Sequence, residues 1–216
     1  MSSSGMRLEV SPSDKLDQDS KVPERATRSA DLRPRQALHQ RVAAAILEAA
    51  AQIFAHRGDD ANLGDVADAA GVARATVYRY FPNRRRLLDE LARMAAEDAH
   101  ERLTSARIEE VPVEEGLSRA VRAFVDLGDA FVVLVRERDR SEAREFERLV
   151  AVPIRRLLEA GRSAGRIRQD IPTAWLAESL FGLVASVRRQ GSLGRDDTVA
   201  AIAAVFLQGA ATPGER

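Results

Sequence analysis

Three observations predict an all-α chain. Apolar residues recur at steps of three and four from Gln36 onward. Glycines and prolines punctuate those stretches where helices should stop: Gly58, Gly71, Pro82, Pro112, Gly128, Pro172, Gly191 and Gly194. The one strand-like run, Phe131 to Val135, has no second run to pair with, so it reads as a buried helix. About nine helices follow, in an N-terminal three-helix unit and a larger C-terminal helical unit.

The chain has 216 residues, enough for one mid-sized domain or a small domain joined to a larger one. The absence of cysteine excludes disulfides, zinc knuckles, iron–sulfur clusters and thiol nucleophiles. His39, His56 and His100 are too scattered for a histidine-rich metal site, and no cofactor is expected. The longest apolar run is nine residues, Val199 to Leu207, too short to span a membrane. The first ten residues carry no signal-peptide apolar core, so a soluble cytoplasmic protein is expected.

Charge placement says more than the total. Lys plus Arg and Asp plus Glu are both 33, yet residues 73–88 carry five arginines and no acid. A local excess of positive charge on a chain otherwise slightly acidic predicts a focused anion-binding surface.

Residues 1–34 are polar, with six charges of each sign and no apolar period, and are expected to be disordered. Arg25, Arg28, Arg33 and Arg35 could form a minor-groove arm, but a solvated tail accounts for them more simply. Leu38, Val42, Ile46, Ala49 and Ile53 form the stripe of a first helix, which stops at Arg57-Gly58. Asn62 is a good N-cap for a short second helix, Leu63 to Ala70, closed by Gly71. A third short helix spans about Ala73 to Tyr80. A fourth runs on to about Arg107, with Leu87, Leu91, Met94 or Ala95, and Leu103 on one side. Helices are then expected at 113–127, 129–139, 141–164, 173–190 and 195–209. The domains read as a tail over 1–34, a DNA-binding unit over 35–83 and an effector-binding and dimerisation unit over 84–216.

Residues 63–81 suit a helix-turn-helix. Two short helices crossing steeply need a small residue at the crossing, here Ala67. The turn needs a residue that tolerates a left-handed backbone, here Gly71 four positions later. Val66, Ala70, Val72 and Val77 then point into a shared core. Arg74, Thr76, Tyr78, Arg79 and Tyr80 remain outside, as a helix in a major groove requires. Phe81, at helical spacing from Val77, reads as core. Arg84, Arg85 and Arg86 stand in the first turn of the fourth helix, where cations cost about 0.3–1 kcal/mol each. A bound phosphate would reverse that sign, so the breach points to function.

The stretch GDVADAAGVARATVYRYFPNRRRLL resembles the signature of the TetR family, the tetracycline-repressor-like regulators. The resemblance covers residues 36–88; beyond it only helix sizes and order match. It implies a homodimeric transcriptional regulator, usually a repressor, that leaves a double-stranded DNA operator when a small molecule binds the C-terminal domain. By position, Arg74, Thr76 and Arg79 would face bases, while Tyr78 and Tyr80 would meet phosphate, sugar or thymine methyl. Arg84 would take the place of the family's phosphate-binding lysine. Asn62 is counted with this DNA-facing set. Ala73 replaces the usual capping Ser, and Gly64 stands where many members carry a DNA-contacting residue.

Two other readings compete with this one. Gly161-Arg162-Ser163-Ala164-Gly165 matches a hydrolase nucleophile elbow, but a helix precedes it and no histidine follows His100, so no enzyme is expected. A helical adaptor that has lost DNA binding would not keep a five-arginine, acid-free segment.

Leu176, Leu180, Leu183 (or Val184) and Val187 form one C-terminal stripe, and Val199, Ile202, Ala203 and Phe206 another; both are candidates for a two-fold interface, with intrachain core as the alternative. Phe124, Leu127, Phe131, Leu134, Phe146 and Trp175 are the candidate lining of an effector pocket, again against ordinary core packing.

Overall fold

The structure, a computed structural model, describes residues 24–137, 143–190 and 193–211. Those residues form nine helices and no strand, apart from one isolated antiparallel bridge between Ile167 and Ala211. In chain order they are α1 (Glu24–Arg57), α2 (Leu63–Ala69), α3 (Arg74–Tyr80), α4 (Arg84–Ser105), α5 (Val113–Leu127) and α6 (Asp129–Glu137). Next come α7 (143–163, continuous through a π-helical turn at Glu147–Ala151), α8 (Thr173–Gln190) and α9 (Arg195–Ala210).

Of the expected disordered tail, residues 1–23 lie outside the described residues, while 24–34 are helical. Local sequence supports that helix: Glu24 and Arg28, and Asp31 and Arg35, stand four apart with the acid first. Arg25, Arg28, Arg33 and Arg35 therefore belong to a helix and not to an extended arm.

The compact unit beginning at Val42 holds two apolar cores. The smaller joins Ile46, Leu47, Ala50 and Phe54 of α1 to Leu63, Val66 and Ala67 of α2, Val77 of α3 and Phe81. The larger is built by α5, α7, α8, α9 and most of α4. Two helices serve both. Leu87, Leu88 and Leu91 of α4 enter the smaller core, and Ala92, Ala95, Ala96, Ala99 and Leu103 the larger. Ala95 takes the stripe position, leaving Met94 exposed. Residue 84 thus marks the start of a helix but not the limit of the first core. The run at 131–135 is helical and buried, and its two faces divide: Phe131 and Leu134 join the larger core, Val132 and Val133 the smaller.

The end of α1 depends on two long-range arginines. A helix leaves its last carbonyls without intrahelical partners. Arg136 Nη1 of α6 donates to the Phe54 carbonyl at 2.7 Å, and Arg84 Nη2 of α4 donates to the Gly58 carbonyl at 3.2 Å. Gly58 has φ +58, a backbone conformation that favours glycine, and a Cβ there would lie 3.1 Å from the mobile tip of Arg136.

The segment 161–165 is the end of α7 followed by a turn: Ser163 is its last helical residue and no strand precedes it.

Candidate nucleic-acid interface

The second and third helices are locked by small and branched residues at their crossing. Val66, Ala67 and Val77 are fully buried, with Ala70 and Val72 half-buried beside them. Between the helices Gly71 adopts φ +66, and the Val72 N–H donates back to the Ala67 carbonyl at 3.0 Å. Nothing lies within 4 Å of a Cβ placed on Gly71, so its backbone conformation, not crowding, selects glycine.

Asn62 caps α2 through Oδ1, which accepts from Gly64 N at 2.8 Å and Asp65 N at 3.2 Å, while Asp65 accepts from Asn62 N at 2.9 Å. This is a reciprocal capping box, with Asp65 also paired to Arg57 at 2.8 Å. The Asn62 N–H, together with Arg57 and Arg74 nearby, holds the Asp65 carboxyl below its ordinary range despite a desolvation penalty. The side-chain Oδ1 of Asn62 is thus committed to the cap.

With α2 held in this way, α3 presents one face outward. Arg74, Tyr78 and Arg79 are exposed, Tyr78 by 54%; Thr76 and Tyr80 are half-buried. Tyr80 packs against the edge of the smaller core and lies under Arg79, whose guanidinium carbon is 5.5 Å from the ring centre. Arg74 bends across the start of α2: a Cβ on Gly64 would lie 2.9 Å from its guanidinium carbon. Gly64 therefore gives Arg74 its seat, a link between two residues the sequence treats separately. Ala73 forms no side-chain cap, as its identity dictates.

Arg84 departs from expectation. Its guanidinium turns inward, bonding the Gly58 carbonyl and Asp59 Oδ1 (3.3 Å) and covering the Phe54 ring at 5.0 Å. An unsatisfied helix end and an aromatic face both attract a cation. Arg85 pairs with Asp89 at 2.9 Å along α4. Two of the three arginines thus have partners inside the chain, which sequence alone does not disclose. Arg86 is exposed at the helix start, its N–H capped by Asn83 at 2.9 Å.

The expected effector pocket is filled. Phe124 stacks on Phe131 at 4.6 Å between ring centres, and Phe181 meets Phe124 and Phe146 edge-on at 5.9 and 5.2 Å. Leu134 is buried with them and Leu127 is half-buried at the margin. These are packed core residues, for the plain reason that aromatic rings gain most by mutual burial. Trp175 does not join this cluster: it is 71% exposed on the outer face of α8. The expected interface stripes also turn inward. Leu176, Leu180, Val199, Ile202 and Phe206 are buried in the larger core, with Leu183 and Val187 half-buried against it. A single apolar stripe on each helix is used up by the chain's own core. The opposite faces instead carry Trp175 and Gly182 on α8 and Ala201, Ala204 and Val205 on α9.

A short helix pair joined by a glycine turn, with an exposed, arginine-bearing second helix set on a helical body, defines a helix-turn-helix transcription regulator. Residues 46–91 match the model of the bacterial regulatory proteins of the tetR family. The chain is 31% identical over 145 residues to the HTH-type transcriptional repressor LfrR of Mycolicibacterium smegmatis, covering 67% of this chain and 76% of that protein. It is 25% identical over 190 residues to the HTH-type transcriptional repressor KstR2 of Rhodococcus jostii, covering 78% and 90%. The crystal structure of LfrR in complex with proflavine superposes with a TM-score of 0.63 at 28% identity, covering 82% of this chain and 99% of that one. The chain belongs to the TetR family and is a DNA-binding regulator of transcription. Among the described residues, no helix is long and apolar enough to cross a membrane.

Proposed function

We propose that the protein is a homodimeric repressor that holds a pseudo-palindromic operator through α3 and leaves it when a small molecule binds the C-terminal helices. The observation that carries this reading is the outward face of α3, with Arg74, Tyr78 and Arg79 exposed beside Arg86 on an acid-free segment. Arg74 and Arg79 are suited to bidentate contact with guanine, and Tyr78 to phosphate or thymine methyl. Arg86 takes the phosphate role in place of Arg84. The relatives named as repressors support the direction of control.

The two-fold contact is assigned to the outer faces of α8 and α9, where Trp175 is the large anchor and Gly182, Ala201 and Ala204 allow close approach. Half-sites would then lie about one DNA turn apart or slightly more. Ligand and DNA are coupled through α4 and α6, the two helices whose residues belong to both cores.

A selection from random duplexes with purified protein, followed by sequencing, tests the reading. A pseudo-palindrome is the expected product; no enriched sequence at low salt would overturn it.

Coupling has its own test. Arg136→Ala removes a part-buried, charge-assisted bond to the last turn of α1, worth about 1.5–3 kcal/mol. Hydrogen exchange should quicken across residues 54–61 while α8 and α9 keep their protection. Unchanged exchange there would mean that α6 does not restrain the DNA-binding unit.

A further inference from the structure

The aromatic core is filled by its own rings, and two adjoining cavities lie instead between the α4–α5 connection and α7. The larger, about 500 Å³, has Val111, Pro112, Val113, Leu157, Ala160 and Gly161 as its apolar wall. The smaller, about 290 Å³, is bounded by His100, Leu103, Thr104, Arg107, Ile108 and Pro153. Both sizes suit a small ligand. The groove is held in shape by close helix approach. A Cβ on Gly116 of α5 would lie 2.5 Å from the Ile108 carbonyl, and one on Gly161 of α7 would lie 2.7 Å from the Val113 side chain.

Arg156 and Glu109 line both compartments, so they stand where the two meet. Almost every other charge nearby is paired within the chain. Arg155 bonds Glu147 and Arg162 approaches Glu159 on α7; Arg166 pairs with Glu114 at 2.5 Å and Arg107 with Glu110 at 3.5 Å. Neither Arg156 nor Glu109 has a hydrogen bond or ion pair, with each other or with another described residue. Arg166 and Glu114 line the larger compartment and Arg107 and Glu110 the smaller as ion pairs, so beside the apolar wall the cation and anion left without a partner are Arg156 and Glu109. Arg107, on the wall of the smaller compartment, is the one non-glycine among the described residues with positive φ, at 49°. Glycine would take that helix-end position without strain, so the position carries a cation against its backbone preference.

We propose that this groove binds a small zwitterionic amphiphile, an α-amino acid with a long apolar side chain. Its carboxylate pairs with Arg156, its ammonium with Glu109, and its apolar body lies along Val111, Pro112, Val113, Leu157 and Ala160. A plain carboxylate would leave Glu109 facing like charge, and a plain amine would do the same to Arg156. The planar guanidinium suits bidentate capture of the carboxylate. The groove touches Leu103 and Thr104 in the last turns of α4, the helix whose first turn bears Arg84 to Arg86. This assignment deepens the small-molecule part of the proposed function and rests on that reading only for its consequence at the operator.

Titration calorimetry on the full chain without DNA, using 2-aminodecanoate, decanoate and decylamine, decides the matter. The expected result is one site per chain for 2-aminodecanoate, bound at least about tenfold more tightly than either single-charge analogue. Arg156→Gln should weaken 2-aminodecanoate by about tenfold or more and leave decylamine no weaker; Glu109→Gln should weaken it similarly and leave decanoate no weaker. Both side chains are exposed and without partners, so both variants should melt as the wild type does. Equal affinity for the three probes, no heat at about 1 mM, or variants that bind unchanged would overturn the site. Binding that leaves the affinity for the selected operator unaltered would keep the site and overturn ligand-driven release through it.

Discussion

Alanine at Arg74 or Arg79 is expected to weaken operator binding by about 1–3 kcal/mol each, roughly five- to 150-fold, and to relax base preference at a single half-site position apiece. Both side chains are exposed on α3 and neither belongs to a core, so folding stability should stay within about 0.5 kcal/mol of the wild type. Arg86→Ala is the internal comparison: a phosphate contact should be lost uniformly across sequences, with the salt slope of binding reduced by about one. Equilibrium binding to the selected operator and its single-base variants at several salt concentrations separates the two patterns. Wild-type base preference in both Arg74→Ala and Arg79→Ala would remove α3 from sequence readout.

The largest loss of stability is expected from Phe54→Ala, about 3–5 kcal/mol. Phe54 is buried in the smaller core, and its ring is also the face on which the Arg84 guanidinium rests at 5.0 Å. Removing it leaves a cavity beneath a cation whose Nε is already buried without a partner. Against a total stability of about 5–15 kcal/mol, such a loss unfolds a large part of the population at moderate denaturant. Urea unfolding monitored by circular dichroism measures it. A midpoint close to that of the wild type would mean that the smaller core tolerates the cavity and that Arg84 is held by its hydrogen bonds alone.

Most of the DNA-facing element was legible in the sequence because its determinants are local. Ala67, Gly71 and Val77 act within a dozen residues of one another: helix crossing, left-handed turn and core contact are all fixed by neighbours in the chain. The capping box at Asn62 and Asp65 is local in the same way, as is the start of α4 after Asn83. The intrachain partners of Arg84, Gly58 and Asp59, are not legible in the sequence because they lie some 25 residues earlier. No periodicity marks that pairing, and the same arginine in the first turn of a helix fits a phosphate equally well. Arg136 left no signal at all, since its bond to the Phe54 carbonyl spans 82 residues.

The C-terminal helices show the same division. Spacing predicted α5 to α9 closely, with Val113–Leu127 and Thr173–Gln190 at their expected limits. It could not say which neighbour each apolar stripe meets. Leu176, Leu180, Ile202 and Phe206 fit a subunit interface as well as an intrachain core, and the packing of α8 and α9 onto the body selected the core. By itself, then, the sequence determined the all-α class, the helix order and the helix-turn-helix, because helix propensity, capping and turn chemistry act over a few residues. Only the tertiary structure decided which faces are buried, that α4 and α6 belong to both cores, and that Arg156 and Glu109 line the same two cavities. Those outcomes depend on contacts between residues far apart in the chain, which close packing resolves and periodicity leaves open.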